Sequence, residues 1–267
     1  MGDIKIKKLD GAECICLLVH GMNNSTEALS PLSEHLQKML KAHMLIVQLS
    51  GHEQKVLMAG KIKRNFWEED LVQAYEQIEE FQYEHIFEER LPVYFFGYSL
   101  GGLLQLLLQM EHPDLKVDKQ IFFAPACFLR TNIVRLDSLP QILDSLPIPS
   151  LAPDRVRNTY FVPFQFYRFL FESVKEFELR TDEIPNTPTL VFCNPEDEAI
   201  SIKKAHSFID QPHLSNWKLE QVHAVGKTKR KKWQHLIIDP ETMGDSEWDR
   251  MMKLILDFLG QNQLPSE

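Results

Sequence analysis

A serine between spaced glycines, Gly97-Tyr98-Ser99-Leu100-Gly101 with Gly102 behind it, is the segment of this chain best suited to chemistry. It follows a short apolar run, Val93–Phe96, and opens a strongly apolar stretch, Ser99 to Met110. That is the strand-to-helix context the G-x-S-x-G pattern requires. A serine on such a tight turn is held in strained backbone angles. Glycines at 97 and 101 remove the Cβ atoms that would collide with the turn and the neighbouring helix. The helix N-terminus sets free N–H groups and a positive dipole end beside the serine, which favours a developing oxyanion. The chemistry such a residue performs is nucleophilic attack on a carbonyl. It needs a base within reach and a carboxylate to orient that base.

Candidates for both lie later in the chain. Carboxylates cluster at Glu196, Asp197 and Glu198, and histidines follow at His206, His213, His223 and His235. His206 falls in a helix-period stretch and His213 follows Pro212. His223 comes just after a strand-like run, and His235 precedes Leu236-Ile237-Ile238-Asp239. None of these histidines belongs to a metal-ligand motif such as HExxH, and the chemistry requires neither metal nor organic cofactor.

The elements that must position these residues read as alternating strands and helices. Ile4–Leu9 alternates like an edge strand and is followed by an Asp10-Gly11 turn. Cys14–Val19 and Val93–Phe96 are unbroken apolar runs, the signature of strands buried on both faces, and Met44–Leu49, Gln120–Ala124 and Thr189–Cys193 are strand-like runs of mostly apolar residues. Trp217–Val222 is the last strand-like run. Helical spacing of apolar residues occurs after Ser30, in Trp67–Phe81, in Ser201–Ile209 and in Trp248–Leu259. Ser30 is placed to cap the first of these. This rhythm predicts an α/β fold, a mostly parallel sheet with helices on both faces. It breaks between Cys127 and Ile184. There a proline-rich segment, Leu139–Pro153, is followed by Phe161, Phe164, Phe166, Tyr167, Phe169 and Phe171. Because the strand pattern then resumes, the expected organisation is a core of residues 1–126 and 185–267 with a cap inserted at 127–184.

At 267 residues, 44% hydrophobic and 25% charged, the chain can bury one large α/β core. A net charge of −9 argues against nucleic acid as a partner. No apolar run approaches the roughly 20 residues that span a bilayer. The N-terminal Met-Gly-Asp-Ile-Lys-Ile-Lys-Lys has no apolar signal core, and Ile6 stands where a myristoylation motif needs Ser or Thr. A cytoplasmic protein with reduced core thiols is therefore expected, its four cysteines suiting neither a zinc site nor a disulfide framework.

With the serine motif, His20-Gly21-Met22 at the end of the first buried strand completes a likeness. The chain resembles the α/β-hydrolase superfamily, especially its small carboxylesterases and monoacylglycerol lipases. Leu49-Ser50-Gly51-His52 is similar to the Gly-His loop that ends the next strand in these enzymes. The resemblance implies oxyanion donors at the backbone N–H groups of Met22 and Leu100, with His20 and His52 structural. It orders the chemistry as serine, acid, histidine. Asp197 then matches the acid, and Asn194 stands where the family often has a left-handed glycine. His235, followed by an apolar pair, an acidic residue and a final helix, matches the base in preference to His223. The long basic loop Gly226–Trp233 departs from that pattern.

The implied activity is hydrolysis of a carboxylic ester, a monoglyceride or short-chain ester with a hydrophobic acyl group, through an acyl-enzyme. A lysophospholipase or an acyltransferase would use the same triad, and a non-catalytic binding protein on the same fold is the alternative of another class. The run Lys227, Lys229, Arg230, Lys231 and Lys232 could attract an anionic substrate or a transient lipid surface. A plain solvated loop is the simpler and preferred reading.

Overall fold

Continuous apolar runs become the middle of a sheet because both faces of such a strand must be covered. In the computed structural model, which describes residues 2–52, 60–84, 90–150, 152–225 and 234–260, every residue of β2 (Cys14–Val19) is buried. The elements before it and up to the serine are β1 (Asp3–Lys7), α1 (Ser30–Leu40), β3 (Ala42–Gln48), α2 (Asn65–Glu84), β4 (Val93–Tyr98) and α3 (Leu100–Glu111). Then follow β5 (Lys119–Phe123), α4 (Thr131–Val134), β6 (Pro147–Pro149), β7 (Phe161–Pro163) and α5 (Phe164–Leu179). The chain closes with β8 (Thr189–Cys193), α6 (Ile202–Ile209), β9 (Trp217–Gln221), α7 (Pro240–Met243) and α8 (Asp245–Leu259).

Seven strands form one sheet in the order β1-β3-β2-β4-β5-β8-β9. Only β1 runs antiparallel to its neighbour, and its half-exposed alternation is that of an edge. The order reverses between β2 and β4. Loops leaving the carboxyl ends of parallel strands diverge at such a switch point and leave a crevice there. Val19 pairs with Gly97 across that point, so His20-Gly21-Met22 and Ser99 leave adjacent strand ends side by side.

One of the expected helix features needs correction. Ser30 does not cap α1. A 3₁₀ turn, Thr26–Leu29, runs directly into the helix, so Ser30 is its first residue and Leu29 takes the cap position without a side-chain hydrogen bond. The aromatic run after 161 belongs to regular structure, the 16-residue helix α5. Between β5 and β8 the chain leaves the sheet altogether: α4, several 3₁₀ turns, the β6–β7 ribbon and α5 lie over the carboxyl ends of the strands. Among the described residues no helix is long and apolar enough to cross a membrane. The four cysteines are buried free thiols.

The serine turn is packed so closely that two glycines are obligatory. A Cβ on Gly97 would stand 2.7 Å from Gly102 Cα, and one on Gly101 would press into the backbone carbonyl oxygen of Val19. Neither obstacle is a side-chain end that can swing away. Gly101→Ala should therefore destabilise the protein by about 2–3 kcal/mol, the scale of overpacking a tight core. Urea unfolding measures it, and a midpoint equal to that of the unsubstituted protein would mean that the elbow has room to spare.

Candidate active site

Ser99 has φ +50° and ψ −110°, a conformation that costs a non-glycine residue about 1–3 kcal/mol. The neighbouring strand holds it there. Ser99 N–H donates to Phe123 O, and Ser99 O accepts from Ala126 N–H, both at 2.9 Å. Ala124, between those anchors, is itself at φ +45° and donates to Phe192 O at 2.8 Å. The elbow is thus stitched to β5 and, through it, to β8.

Asp197 reaches the same point from the end of β8. It is fully buried, and its loop folds around its carboxylate. Oδ1 accepts the N–H groups of Ala199 at 2.7 Å and Ile200 at 2.8 Å. Oδ2 lies 2.8 Å from His235 Nδ1. Arg130 Nη2 donates to the Asp197 carbonyl at 2.7 Å. Asn194 is not among the left-handed residues. Its side chain matters instead: Nδ2 donates to Gln234 Oε1 at 2.6 Å and Gln234 O at 3.2 Å, tying the acid loop to the residue before His235.

His235 bridges the other two groups. With Nδ1–H directed at the carboxylate, the hydrogen-bond network assigns Nε2 as the acceptor, and Nε2 stands 3.0 Å from Ser99 Oγ. Burial disfavours the imidazolium, but the charge and hydrogen bond of Asp197, with Glu198 behind them, outweigh it and raise the pKa above 6.5. Burial also opposes ionisation of Asp197. His235 and the N–H groups of Ile200 and Ala199 overcome it and hold the carboxyl below 3.8. A charged acceptor thus faces a histidine that can take a proton.

Glu198 influences this balance without joining the chain of contacts. Its Oε2 accepts Gln234 N–H at 3.0 Å. Its charge raises the His235 pKa. Glu198→Gln keeps the acceptor and removes the charge, so the His235 pKa should drop. If neutral His235 is the base, activity falls on acidification through that pKa. The acid limb of kcat/KM should then shift to lower pH in the variant, and an unmoved limb would show the two groups to be uncoupled.

The remaining candidates lie elsewhere. His206, on α6, has only a 3.4 Å contact with Gln221. His213 is exposed in a 3₁₀ turn, and the exposed His223 uses its N–H on Glu247 Oε1 at 2.9 Å. Glu196 is exposed. His20 is fully buried: Nδ1–H donates to Gly21 O at 2.8 Å while Nε2 accepts Leu49 N–H at 3.1 Å. Burial lowers its pKa to about 4 and that of His52 to about 3. Both are neutral supports of their loops. Among the described residues, neither the Met22 nor the Leu100 N–H meets an acceptor within the protein. The basic run 227–232 lies outside the described residues.

Ser99 and His235 open into a cavity of about 700 Å³ whose wall is overwhelmingly apolar. Phe164, Tyr167 and Phe171 share one face of α5 and turn into it, together with Leu170. The same helix packs its other side on the core, with Phe166 and Phe169 ring centroids 6.1 and 5.9 Å from Trp67. The aromatic run therefore serves both purposes. Sequence reasoning missed Tyr98, whose ring sits 5.3 Å from that of His235 and whose hydroxyl donates to His235 O at 3.4 Å. The variable position before the serine gave no signal for it.

A parallel sheet of this order, with a strained serine at the switch point and helices on both faces, defines an α/β-hydrolase. Residues 11–160 match the serine aminopeptidase S33 family of hydrolases, and the chain belongs to that family. No curated protein matches the sequence. Among solved structures, a soluble variant of monoglyceride lipase from Saccharomyces cerevisiae, in complex with a substrate analogue, superposes with a TM-score of 0.74 at 13% identity. The match covers 99% of this chain and 92% of that one. A structure from work on the metagenome-derived lipolytic enzymes LipS and LipT gives 0.74 at 15% identity over 97% and 98% of the two chains. Monoacylglycerol lipase of Paleococcus ferrophilus gives 0.70 at 15% identity over 98% and 100%. At such identities the likeness is one of fold.

Proposed function

We propose that this hydrolase cleaves carboxylic esters with a hydrophobic acyl group, monoglycerides or short-chain esters, through a Ser99–His235–Asp197 triad. The observation that carries the reading is the unbroken hydrogen-bond chain from Asp197 Oδ2 through His235 to Ser99 Oγ, ending at an apolar cavity. Ser99 Oγ attacks the ester carbonyl as His235 Nε2 takes its proton. The oxyanion of the tetrahedral intermediate is held by the N–H groups of Met22 and Leu100. The intermediate collapses, His235 returns the proton to the departing alcohol, and an acyl-Ser99 ester remains. Water then gives a proton to His235 as it adds to that ester, and His235 passes that proton to Ser99 Oγ as the acyl–oxygen bond breaks, releasing the acid and restoring the enzyme. Asp197 stays ionised throughout and stabilises the imidazolium.

Residues 127–184 act as the cap that walls the acyl pocket. Glu198 is the only carboxylate among the described residues lining it, which favours a neutral leaving group over a phosphate-bearing one. Leu136, Ile142 and Leu146 on the cap are exposed, a surface consistent with transient contact with lipid.

The test is a substrate panel: p-nitrophenyl esters of graded chain length, a monoacylglycerol, a lysophosphatidylcholine and an aminoacyl p-nitroanilide, with and without an alcohol acceptor. Turnover of the neutral esters with release of free acid is expected. Failure to cleave any ester would overturn the proposal. Preference for the lysolipid, for the anilide or for transfer to the alcohol would replace the substrate class while keeping the triad.

A further inference from the structure

The loop that carries Met22 is fastened to the cap through two adjacent asparagines, and Asn23 makes most of the side-chain contacts. Asn23 is 3% exposed, and both polar atoms of its amide are partnered by the cap. Nδ2 donates to Ser150 Oγ at 2.8 Å and to Thr159 O at 2.9 Å. Oδ1 accepts Thr159 N–H at 3.0 Å and lies 2.8 Å from Thr159 Oγ1, whose one proton also has Phe161 O within 2.8 Å. Its backbone carbonyl accepts Asn158 N–H at 2.7 Å. Beside it, Asn24 Nδ2 donates to Val156 O at 2.9 Å, and Asn24 forms a β-bridge with Arg157.

The backbone explains why asparagine does this work. Asn23 has φ +56°, a left-handed conformation that asparagine tolerates better than other side-chain-bearing residues. The Met22 N–H lies one peptide further back, in the same tight turn: Asn24 N–H donates to Gly21 O at 3.2 Å, so Met22 and Asn23 are its two central residues, and anchoring Asn23 at that corner constrains where the Met22 N–H points. A side chain needed only to fill space would not require four partners drawn from two cap residues.

We infer that Asn23 is a positioning residue for the oxyanion site: it uses the cap as a template to aim the Met22 N–H. This rests on the proposed role of Met22. The cap then does two things, enclosing the acyl chain and setting the electrostatics at the carbonyl.

Asn23→Gly tests this, because glycine accepts φ +56° while losing all four amide contacts. In the variant, kcat should fall about 10- to 100-fold, less than the roughly 10²- to 10³-fold loss of an oxyanion donor outright. Affinity for an alkyl boronic acid, whose tetrahedral Ser99 adduct puts an oxygen in the oxyanion site, should fall in parallel. The inhibition constant of a fatty alcohol, which fills the pocket without an oxyanion, should stay within about threefold. Circular dichroism and Tm report folding. Should the glycine variant fail to fold, Ser150→Ala removes one contact alone and should give the same split at smaller amplitude. Weakened alcohol binding with unchanged kcat in the folded variant would make Asn23 a mere wall fastening and overturn the inference, as would no change at all. If the unsubstituted protein cleaves no ester and binds no boronic acid, the triad reading fails instead, before Asn23 is tested.

Discussion

Ser99→Ala and His235→Ala should each reduce ester turnover by about 10⁴- to 10⁶-fold, while His223→Ala leaves it near the starting value. The two large effects have different origins. In the proposed mechanism Ser99 Oγ is the atom that becomes acylated, so its removal leaves only the oxyanion donors and the pocket to act on bound substrate. His235 is the proposed base, and among the described residues no other histidine lines the cavity: His206, His213 and His223 are exposed elsewhere. The double variant should be no worse than either single one, because the residues act as a unit. Intact-mass labelling with a fluorophosphonate separates the roles without a known substrate. The native protein should gain one adduct, Ser99→Ala none, and His235→Ala one only at a greatly reduced rate. An adduct formed at full rate in His235→Ala would remove that histidine from the mechanism, and an unlabelled native protein would remove the serine.

Local chemistry was legible in the sequence; long-range partnership was not. Thr189–Cys193 reads as a strand of five apolar or β-branched residues, and β8 has those bounds. The G-x-S-x-G spacing marks its own strand–turn–helix context because backbone close to Val19 and Gly102 admits no Cβ at 101 or 97. Asn23 is different. Its partners Ser150 and Thr159 lie 127 and 136 residues away, and nothing near Asn23 distinguishes it from the adjacent Asn24. Ala124 at φ +45° is equally silent, since alanine has no preference for that region and is held there by hydrogen bonds supplied by other strands. Asn194 shows a right residue with the wrong reason attached. Its backbone avoids the left-handed region, and its value lies in two contacts with Gln234, 40 residues on. Ser30 fails as a cap because an existing 3₁₀ turn already supplies the helix start. Apart from Ser30, each miss is a case in which contacts between distant parts of the chain decided what local sequence could not.

Asp197→Asn should lower kcat about 10⁴-fold with little loss of structure. The reason lies in how the carboxylate is held. Oδ1 accepts two backbone N–H groups, from Ala199 and Ile200. An asparagine in this loop must present its carbonyl oxygen to those donors, because its NH₂ would meet them head-on. The NH₂ is then forced to the position of Oδ2, 2.8 Å from His235 Nδ1. That nitrogen can now only accept, so the imidazole proton moves to Nε2, which faces Ser99 Oγ at 3.0 Å. A protonated Nε2 cannot take the serine proton, and the base is lost through its tautomer although its position is unchanged. The Asp197 charge that raises the His235 pKa also disappears while burial continues to lower it, so the imidazole should titrate below its native value. Nitrogen-15 NMR of labelled histidine reads both effects: the proton should reside on Nε2 in the variant and on Nδ1 in the native protein, with a lower titration midpoint. Full activity with Nδ1 still protonated would mean that another group orients His235, and Glu198 would become the residue to remove next.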